Sequence, residues 1–340
     1  MVTRKEVAER AGVSVTAVSR VMNKSGYVAK EKKAAILKAV DDLGYRPSPA
    51  ARAMQNRSSR QILFYTKDLS NTFNVDMYRG MINYASQHDY TVILSGTWDI
   101  ERIKKLMVDG VILPNELVAD DYVKSVKNTM AMPTVCASYG TSTQRSRHIP
   151  QVDADTYAAM EMLIDYLIEK GHAKIAFATP FLISDENPRG VAYRNKMWSI
   201  LGDKLDDYIF TVYNNNSTNL ASEENYIKHG EVLAKQMVKT QSDATAIVCY
   251  NDDTAIGMIQ HFHKAGISVP DRFSIVGIDG LAIGEFITPQ LTSVALSPFE
   301  QGRQCVRVLL DMIAGKRVKG RTKVPIHFLE RNSVKDIRQS

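Results

Sequence analysis

From Gln61 onward short apolar runs alternate with longer amphipathic ones, and that alternation restricts the fold more than any other property of the chain. Ile62-Leu63-Phe64-Tyr65, Thr91-Val92-Ile93-Leu94, Gly110-Val111-Ile112-Leu113 and Thr134-Val135-Cys136 are almost wholly hydrophobic. A strand covered on both faces reads this way, whereas a strand with one wet face alternates. Between these runs the spacing predicts helices over 77–87, 100–107 and 123–130. Near Pro150 the series restarts with helix 157–170 ending at Gly171-His172, then strand 174–178, helix 193–201, strand 209–212, helix 226–239, strand 246–249, helix 254–265 and strand 273–277. Strand, helix and strand in succession mean right-handed crossovers and parallel sheets. Two similar open sheets are expected, with a shared cleft at the carboxyl ends of their strands, where such sheets bind small ligands.

The first sixty residues follow a different pattern. Thr3-Arg4-Lys5-Glu6 is a capping box that starts a helix at about Arg4. Gly12 suits the left-handed residue that ends it, and Ser14 can cap the next, giving two short helices joined by a tight turn. Val18 and Val21 share a face with the reach of Val7 and Ala8, which leaves Val15, Thr16, Ser19 and Arg20 outward. Short side chains at that helix start admit the backbone to a major groove. There Val15 can touch a thymine methyl, Thr16 a base edge or phosphate, and Arg20 guanine or phosphate. The alternative is an ordinary helical hairpin with a solvated face. A third helix is expected from Lys30 to Leu43, with Ala29 where a Ser or Thr cap would serve better. Ser48 to Gln55 reads as a short helix with Pro49 at its first position. Two turns are marginal alone, so it needs a partner. Two copies pairing in a minor groove, with Met54 as a wedge between base steps, would supply one; a plain linker is the alternative.

Charge separates the same two regions. Residues 1–60 hold 13 Lys and Arg against 5 Asp and Glu, and the rest holds 30 against 32. A surface that neutralises phosphates needs such a local excess. With 340 residues, 44% hydrophobic and 24% charged, the chain has the composition of an ordinary globular protein. It has no apolar run long enough for a membrane span and begins with charges, so a cytoplasmic protein is expected. Cys136, Cys249 and Cys305 show no paired spacing, so buried thiols are expected, with no disulfide, metal or cofactor.

Lys5-Glu6-Val7-Ala8, Ala11-Gly12-Val13-Ser14, Thr16 to Val21 and Asn23 together resemble the signature of the lactose/galactose repressor family of bacterial transcription regulators. So do Leu43 to Pro47, Asp68 to Asn71, Asp109 to Ile112, Gly171-His172, Asn251-Asp252 with Ala255 to Gly257, Val276 to Asp279, and Pro289 to Val294, in the right order along the whole chain. The resemblance implies an α/β protein with an all-α headpiece: a lambda-repressor-like helix-turn-helix domain (1–46), a hinge helix and linker (47–60), and a two-lobed periplasmic-binding-protein-like domain (61–340). In that domain two Rossmann-like sheets are joined by three crossovers, with lobe one at 61–153 and 296–322 and lobe two at 154–295 and 323–337. It also implies a homodimer, or a tetramer of dimers, on a pseudopalindromic operator. The DNA-contacting set is then Thr3, Ser14, Val15, Thr16, Ser19, Arg20, Asn23, Ala51 and Met54. The effector set is Asn71, Phe73, Asn74, Arg189, Asn251, Asp252 and Asp279. A facing carboxylate and guanidinium can fork onto sugar hydroxyls while an aromatic face stacks on the ring.

Each effector residue also has a structural reading. Asp252 and Asp279 could cap helices, Arg189 could pair with acidic neighbours on the surface, and Phe73 could be core. Departures from the family pattern are the short span between Leu94 and Gly110, Ala137-Ser138-Tyr139 where an aspartate is common, and Leu296 and Pro298 in place of polar residues. They make the first lobe poor in polar groups. An effector-controlled repressor of a carbohydrate operon is expected, its small-molecule effector a sugar or a sugar phosphate. The alternative is a regulator controlled by a phosphorylated carrier protein docking near Phe299-Glu300, Arg303 and Arg307. A sugar-processing enzyme is disfavoured, since no phosphate-binding loop or nucleophile elbow is present.

Overall fold

The computed structural model describes residues 2–23, 25–46, 58–66, 71–96, 103, 105–126, 132–140, 148–183, 187–212 and 225–338. Two compact units result, Met1–Gln61 with Met107–Asp109, and Ile62–Leu106 with Gly110–Ser340.

In the first unit Thr3 and Glu6 cap each other, the Thr3 amide donating to the Glu6 carboxylate at 2.7 Å. They open α1 (Arg4–Ala11), which ends on Gly12 with φ 62°. Ser14 accepts from the Ala17 amide and opens α2 (Val15–Met22). The third helix, α3 (Lys30–Leu43), starts at Ala29 with no side-chain cap, as its sequence implies. Val7, Ala8, Val18, Ile36, Ala39 and Tyr45 close one small core, with Val21 half-buried against it. The hinge helix expected around Ala51 and Met54 lies outside the described residues.

The second unit holds two six-stranded sheets. The first contains β1 (Gln61–Tyr65), β2 (Thr91–Ser95), β3 (Gly110–Leu113), β4 (Thr134–Ser138), β5 (Gln151–Ala154) and β11 (Arg321–Val324), in the order β11-β5-β4-β3-β1-β2. The second contains β6 (Ile175–Thr179), β7 (Ile209–Thr211), β8 (Ala246–Cys249), β9 (Ser274–Asp279), β10 (Thr292–Ala295) and β12 (His327–Leu329), ordered β12-β10-β9-β8-β6-β7. Strand β12 runs antiparallel to β10. The pairings β1 with β3, β3 with β4, β6 with β8 and β8 with β9 are parallel, as crossovers through helices require.

The connecting helices are α4 (Thr72–Ser86), α5 (Glu116–Val126), α6 (Thr156–Glu169), α7 (Pro188–Leu201), α8 (Tyr226–Lys239), α9 (Asp252–Lys264) and α10 (Pro298–Ile313). Four of them start earlier than apolar periodicity suggests, at residues 72, 116, 188 and 252 rather than 77, 123, 193 and 254. The cause is the residue before each. Asn71, Asn115, Asn187 and Asn251 accept from amides of the first turn, so that turn is held by its cap and not by an apolar face. Of the helix expected over 100–107, only residues 103 and 105–107 are described.

Each lobe contains a pair of helices crossing at backbone contact. In the first, a Cβ on Gly80 would lie 1.9 Å from the Phe299 carbonyl oxygen, and one on Gly302 1.9 Å from that of Met77. In the second, Gly230 and Gly257 play the same part, at 2.1 Å from the Thr254 oxygen and 2.0 Å from the Ile227 oxygen. The chain passes between sheets after β5, after β10 and after β11. Since β11 pairs in parallel with β5 through Val324, the last passage comes after Val324, beyond the expected boundary at 322. The strands β5 and β11 were not expected, because each is four residues long and carries charge: Asp153 in one, Arg321 and Lys323 in the other.

Candidate functional site

On the headpiece, Val15, Thr16 and Arg20 face solvent along α2, with Val15 45% exposed. Its apolar surface is held outward because Val18, on the opposite side, takes the core position. The Arg20 stem runs beside the Gly26 loop, 3.4 Å from where a Cβ would stand. Other members of the expected DNA-contacting set are committed within the headpiece. The Thr3 hydroxyl is engaged with Glu6, and the Ser14 hydroxyl accepts from Ala17. Ser19 Oγ accepts from Asn23 Nδ2 at 3.4 Å. Ala51 and Met54 lie outside the described residues.

In the second unit a cavity of about 560 Å³ lies between the carboxyl ends of the two sheets. Its position follows from the caps: the N-termini of α4, α5, α7 and α9 all point there, each with its asparagine on the lining. Six of the seven expected effector residues line it, namely Asn71, Phe73, Asn74, Arg189, Asn251 and Asp279. Arg189 is buried and not paired on the surface. Its Nη2 lies 3.4 Å from Asp279 Oδ1, its Nη1 donates to the Tyr250 carbonyl, and its guanidinium sits 4.4 Å from the Tyr250 ring centroid. Burial pushes the Asp279 carboxyl well above the usual carboxylate range, and the guanidinium offsets only part of that. The backbone there is unusual, with φ 129° at Asp279 and 70° at Gly280, a turn that few side chains tolerate.

Asp252 corrects the expectation. It does not line the cavity. Its carboxylate is fully buried, accepting from the Leu281 amide at 2.7 Å and from Ser293 Oγ at 2.6 Å, so it ties α9 to the segments after β9 and in β10. Asn251 takes the cap, which leaves Asp252 turned inward under the sheet ends. Phe73 is both core and lining, since it packs against Tyr139 at 5.7 Å.

Sequence reasoning missed several lining residues. Glu116, at the head of α5, is 1% exposed and accepts from Ser138 Oγ at 2.5 Å and the Tyr139 amide at 3.0 Å. Burial raises its carboxyl against the pull of those bonds. The first lobe therefore carries more polar chemistry than Ala137-Ser138-Tyr139 suggests. In the second lobe Phe181, Tyr226 and Tyr250 form an aromatic cluster: Tyr226 and Tyr250 are near-parallel at 6.2 Å, and Phe181 meets Tyr250 edge-on at 5.1 Å. Phe181 and Tyr250 follow the ends of β6 and β8, which was the available signal, whereas Tyr226 opens α8 and had none. In the segment named for a carrier protein, Arg303 donates to Asn83 at 2.6 Å and pairs with Glu300.

Among the described residues no helix is long and apolar enough to cross a membrane. Residues 3–48 match the family model described as bacterial regulatory proteins, lacI family, and 164–334 match that of a periplasmic binding protein-like domain. The chain is 27% identical to the HTH-type transcriptional repressor PurR of Vibrio atlanticus, over 99% of this chain and 100% of that protein. It is 28% identical to the ribose operon repressor of Halalkalibacterium halodurans, over 98% of each. The Lac repressor dimer bound to operator and the anti-inducer ONPF superposes with a TM-score of 0.80 at 21% identity, covering 98% of this chain and 99% of that one. The CelR–cellobiose complex gives 0.67 at 21%, covering 98% and 100%. A helix-turn-helix headpiece followed by a two-lobed cleft, in the order and over the length of these repressors, places the chain in the lacI family of bacterial regulatory proteins, with a periplasmic-binding-protein-like domain as its second part.

Proposed function

We propose that this chain is a cytoplasmic transcriptional repressor that binds a pseudopalindromic operator as a homodimer and whose operator affinity is set by a small carbohydrate-like effector in the cleft. The observation that carries the reading is the Arg189–Asp279 pair, buried at the inner end of a cavity walled by aromatic rings, in a chain whose headpiece exposes Val15, Thr16 and Arg20. Such a pair offers donors and acceptors to vicinal hydroxyls while the rings cover apolar ring faces. The relatives support it: one is named a ribose operon repressor, and a structural neighbour holds cellobiose. Residues 1–46 read the operator, 47–60 act as hinge, and 61–340 bind effector and partner subunit. The lining groups bind and orient a ligand.

The mechanism is linkage. An effector that prefers one arrangement of the lobes shifts the protein toward it, and operator affinity changes by the differential affinity of the two arrangements. Operator selection from a random DNA pool, followed by fluorescence anisotropy, tests the reading. Val15→Ala with Thr16→Ala is expected to change base preference, since both side chains are exposed at the start of α2, the helix proposed to enter the major groove. Met54→Ala is expected to weaken binding with preference kept. A protein that selects no sequence at moderate salt, with or without sugars, would refute the proposal.

A further inference from the structure

The three passages of the chain between the lobes converge on one serine. Ser138 ends β4, and the register sets it directly beside Asp153, the last residue but one of β5, ahead of the first passage. Gln301, in the first turn of α10 just after the second passage, donates through Nε2 to the Ser138 and Val152 carbonyls at 3.0 and 2.9 Å. Arg321, which opens β11 ahead of the third, pairs with Asp153 at 3.3 Å. Ser138 also meets Glu116, which lines the cavity, so one hydroxyl stands between the cavity and the strands of the hinge.

That hydroxyl has one proton to give and two carboxyls to satisfy. Its Oγ lies 2.5 Å from Glu116 Oε1 and 3.1 Å from Asp153 Oδ1, and it accepts from the Gly140 amide at 3.2 Å. A hydroxyl donates once and accepts twice. Two ionised carboxylates would leave one of their oxygens facing a lone pair, with both charges out of water. Glu116 and Asp153 are 1% and 2% exposed, and burial raises both carboxyls. Carboxyls this close hold one proton between them. Its place follows from the neighbours. Asp153 faces Arg321 and Lys323, with Asp155 opposing them. Glu116 has Asp120 one turn along its own helix and lies near Tyr139, Tyr250 and Cys136, all uncharged and all pushed up by burial. Arg189 and Asp279, on the same cavity, are paired with each other, and α10 presents the uncharged Gln301. The charge therefore stays on Asp153 and the proton on Glu116. Glu116 then donates to Ser138 and Ser138 to Asp153, and with the Gly140 amide every hydrogen-bonding position of the hydroxyl is filled.

We propose that Glu116, Ser138 and Asp153 form a proton-held latch on the hinge, so that the arrangement of the lobes, and through it operator affinity, follows pH. The step to the operator rests on the repressor reading; the proton does not. While Glu116 keeps its proton the chain of donors is closed and the strand ends are fixed as they stand. Loss of that proton to solvent sets two carboxylates against one hydroxyl, and the strand ends must part to relieve them. Thr156, the first residue of α6, carries the movement into the second lobe, because its hydroxyl donates to the Tyr139 carbonyl at 2.6 Å, next to Ser138. A ligand that covers Glu116 keeps water from it and favours the protonated form, so ligand binding and proton uptake go together.

The test is infrared spectroscopy of the full chain with glutamate carboxyls labelled with 13C, which separates Glu116 from Asp252 and Asp279, whose carboxyls burial also raises. At pH 7, where exposed glutamates are ionised, wild type is expected to show the band of a protonated glutamate carboxyl. Glu116→Gln is expected to lose it. Asp153→Asn is expected to lose it too, because its amide donates to Ser138, the serine turns its proton to Glu116, and the glutamate ionises. A wild type without the band, or a band that survives Asp153→Asn, overturns the inference; where a variant fails to fold, the wild-type band at pH 7 decides. Operator DNA selected from a random pool supplies the second reading. Wild-type affinity is expected to change about tenfold between pH 6 and pH 8, while Glu116→Gln, whose amide keeps a donor on Ser138 throughout, holds the value wild type shows at pH 6. Parallel pH profiles in the two proteins overturn the latch. If no operator is selected, the repressor reading falls and takes the operator step with it, while the band still decides the proton.

Discussion

The Asp252 carboxylate sits between the Leu281 amide and the Ser293 hydroxyl, and burial lifts its carboxyl to about 6 against the pull of those bonds. The folded form therefore keeps its proton between about pH 4 and pH 6, where the unfolded chain has lost it. Stability from this residue is greatest below about pH 4, declines as pH rises to about 6, and is flat above. Two pKa units correspond to about 3 kcal/mol. Asp252→Asn, which can keep the Leu281 bond and donate to Ser293, is expected to flatten this decline in urea melts taken from pH 4 to 7.5. A decline of unchanged depth would assign it elsewhere. Asp109 shows the opposite balance: burial would raise it, but the hydroxyls and amides of Ser58, Ser59 and Arg60 hold it below the usual carboxylate range. Both acids were visible in family-like motifs, yet neither role was, because a motif marks a position and not the partners that surround it.

The crossing helices are joined by glycine, which sets up a contest of known terms. Alanine in place of a helical glycine gains about 1 kcal/mol in propensity. At Gly302 the added Cβ would meet the Met77 carbonyl oxygen at 1.9 Å, a backbone atom that cannot swing aside. Overpacking of that kind costs about 1–3 kcal/mol or more. Gly302→Ala is thus expected to lower stability by about 2 kcal/mol in chemical denaturation, with Gly257→Ala behaving alike in the other lobe; a stabilised variant would mean the helices part without cost. Strands β1, β3, β6, β8 and β9 were legible because both faces are covered and the runs are apolar throughout. Helix starts at 72, 116, 188 and 252 were not, since a capped polar turn has no apolar period.

Across the molecule, the basic excess of the first sixty residues predicts a steep salt dependence. If a dimer meets about eight phosphates, the logarithm of operator affinity should fall with the logarithm of salt at a slope of about −7. Effector affinity should change little over the same range, because Arg189 and Asp279 are buried and paired with each other and Glu116 is buried. A shallow operator slope measured by anisotropy would place the basic residues away from the DNA. The cleft was legible in outline because open parallel sheets bind ligands at the carboxyl ends of their strands, and Asn71, Arg189 and Asp279 were named through the family resemblance. Tyr139, Phe181 and Tyr250 follow strand ends too, but nothing local sets them apart from core aromatics, and Glu116 and Tyr226 open helices with no local signature, so only the tertiary fold brings the five together.

The passage of the chain between sheets also orders its assembly on the ribosome. Helices α1 to α3 have their whole core once Tyr45 has emerged, and α6 to α9 with β6 to β10 come from one uninterrupted stretch. The first lobe is begun early and completed late, because α10 and β11 arrive only near the end of synthesis. The face of α4 around Gly80 stays bare while about 220 further residues are added, roughly 10–45 s at ordinary elongation rates. A polypeptide released near Leu296 would carry a nearly whole second lobe beside an unroofed first one, so premature termination in the last fifth of the message yields a chain fit for chaperones or proteases and not for an operator.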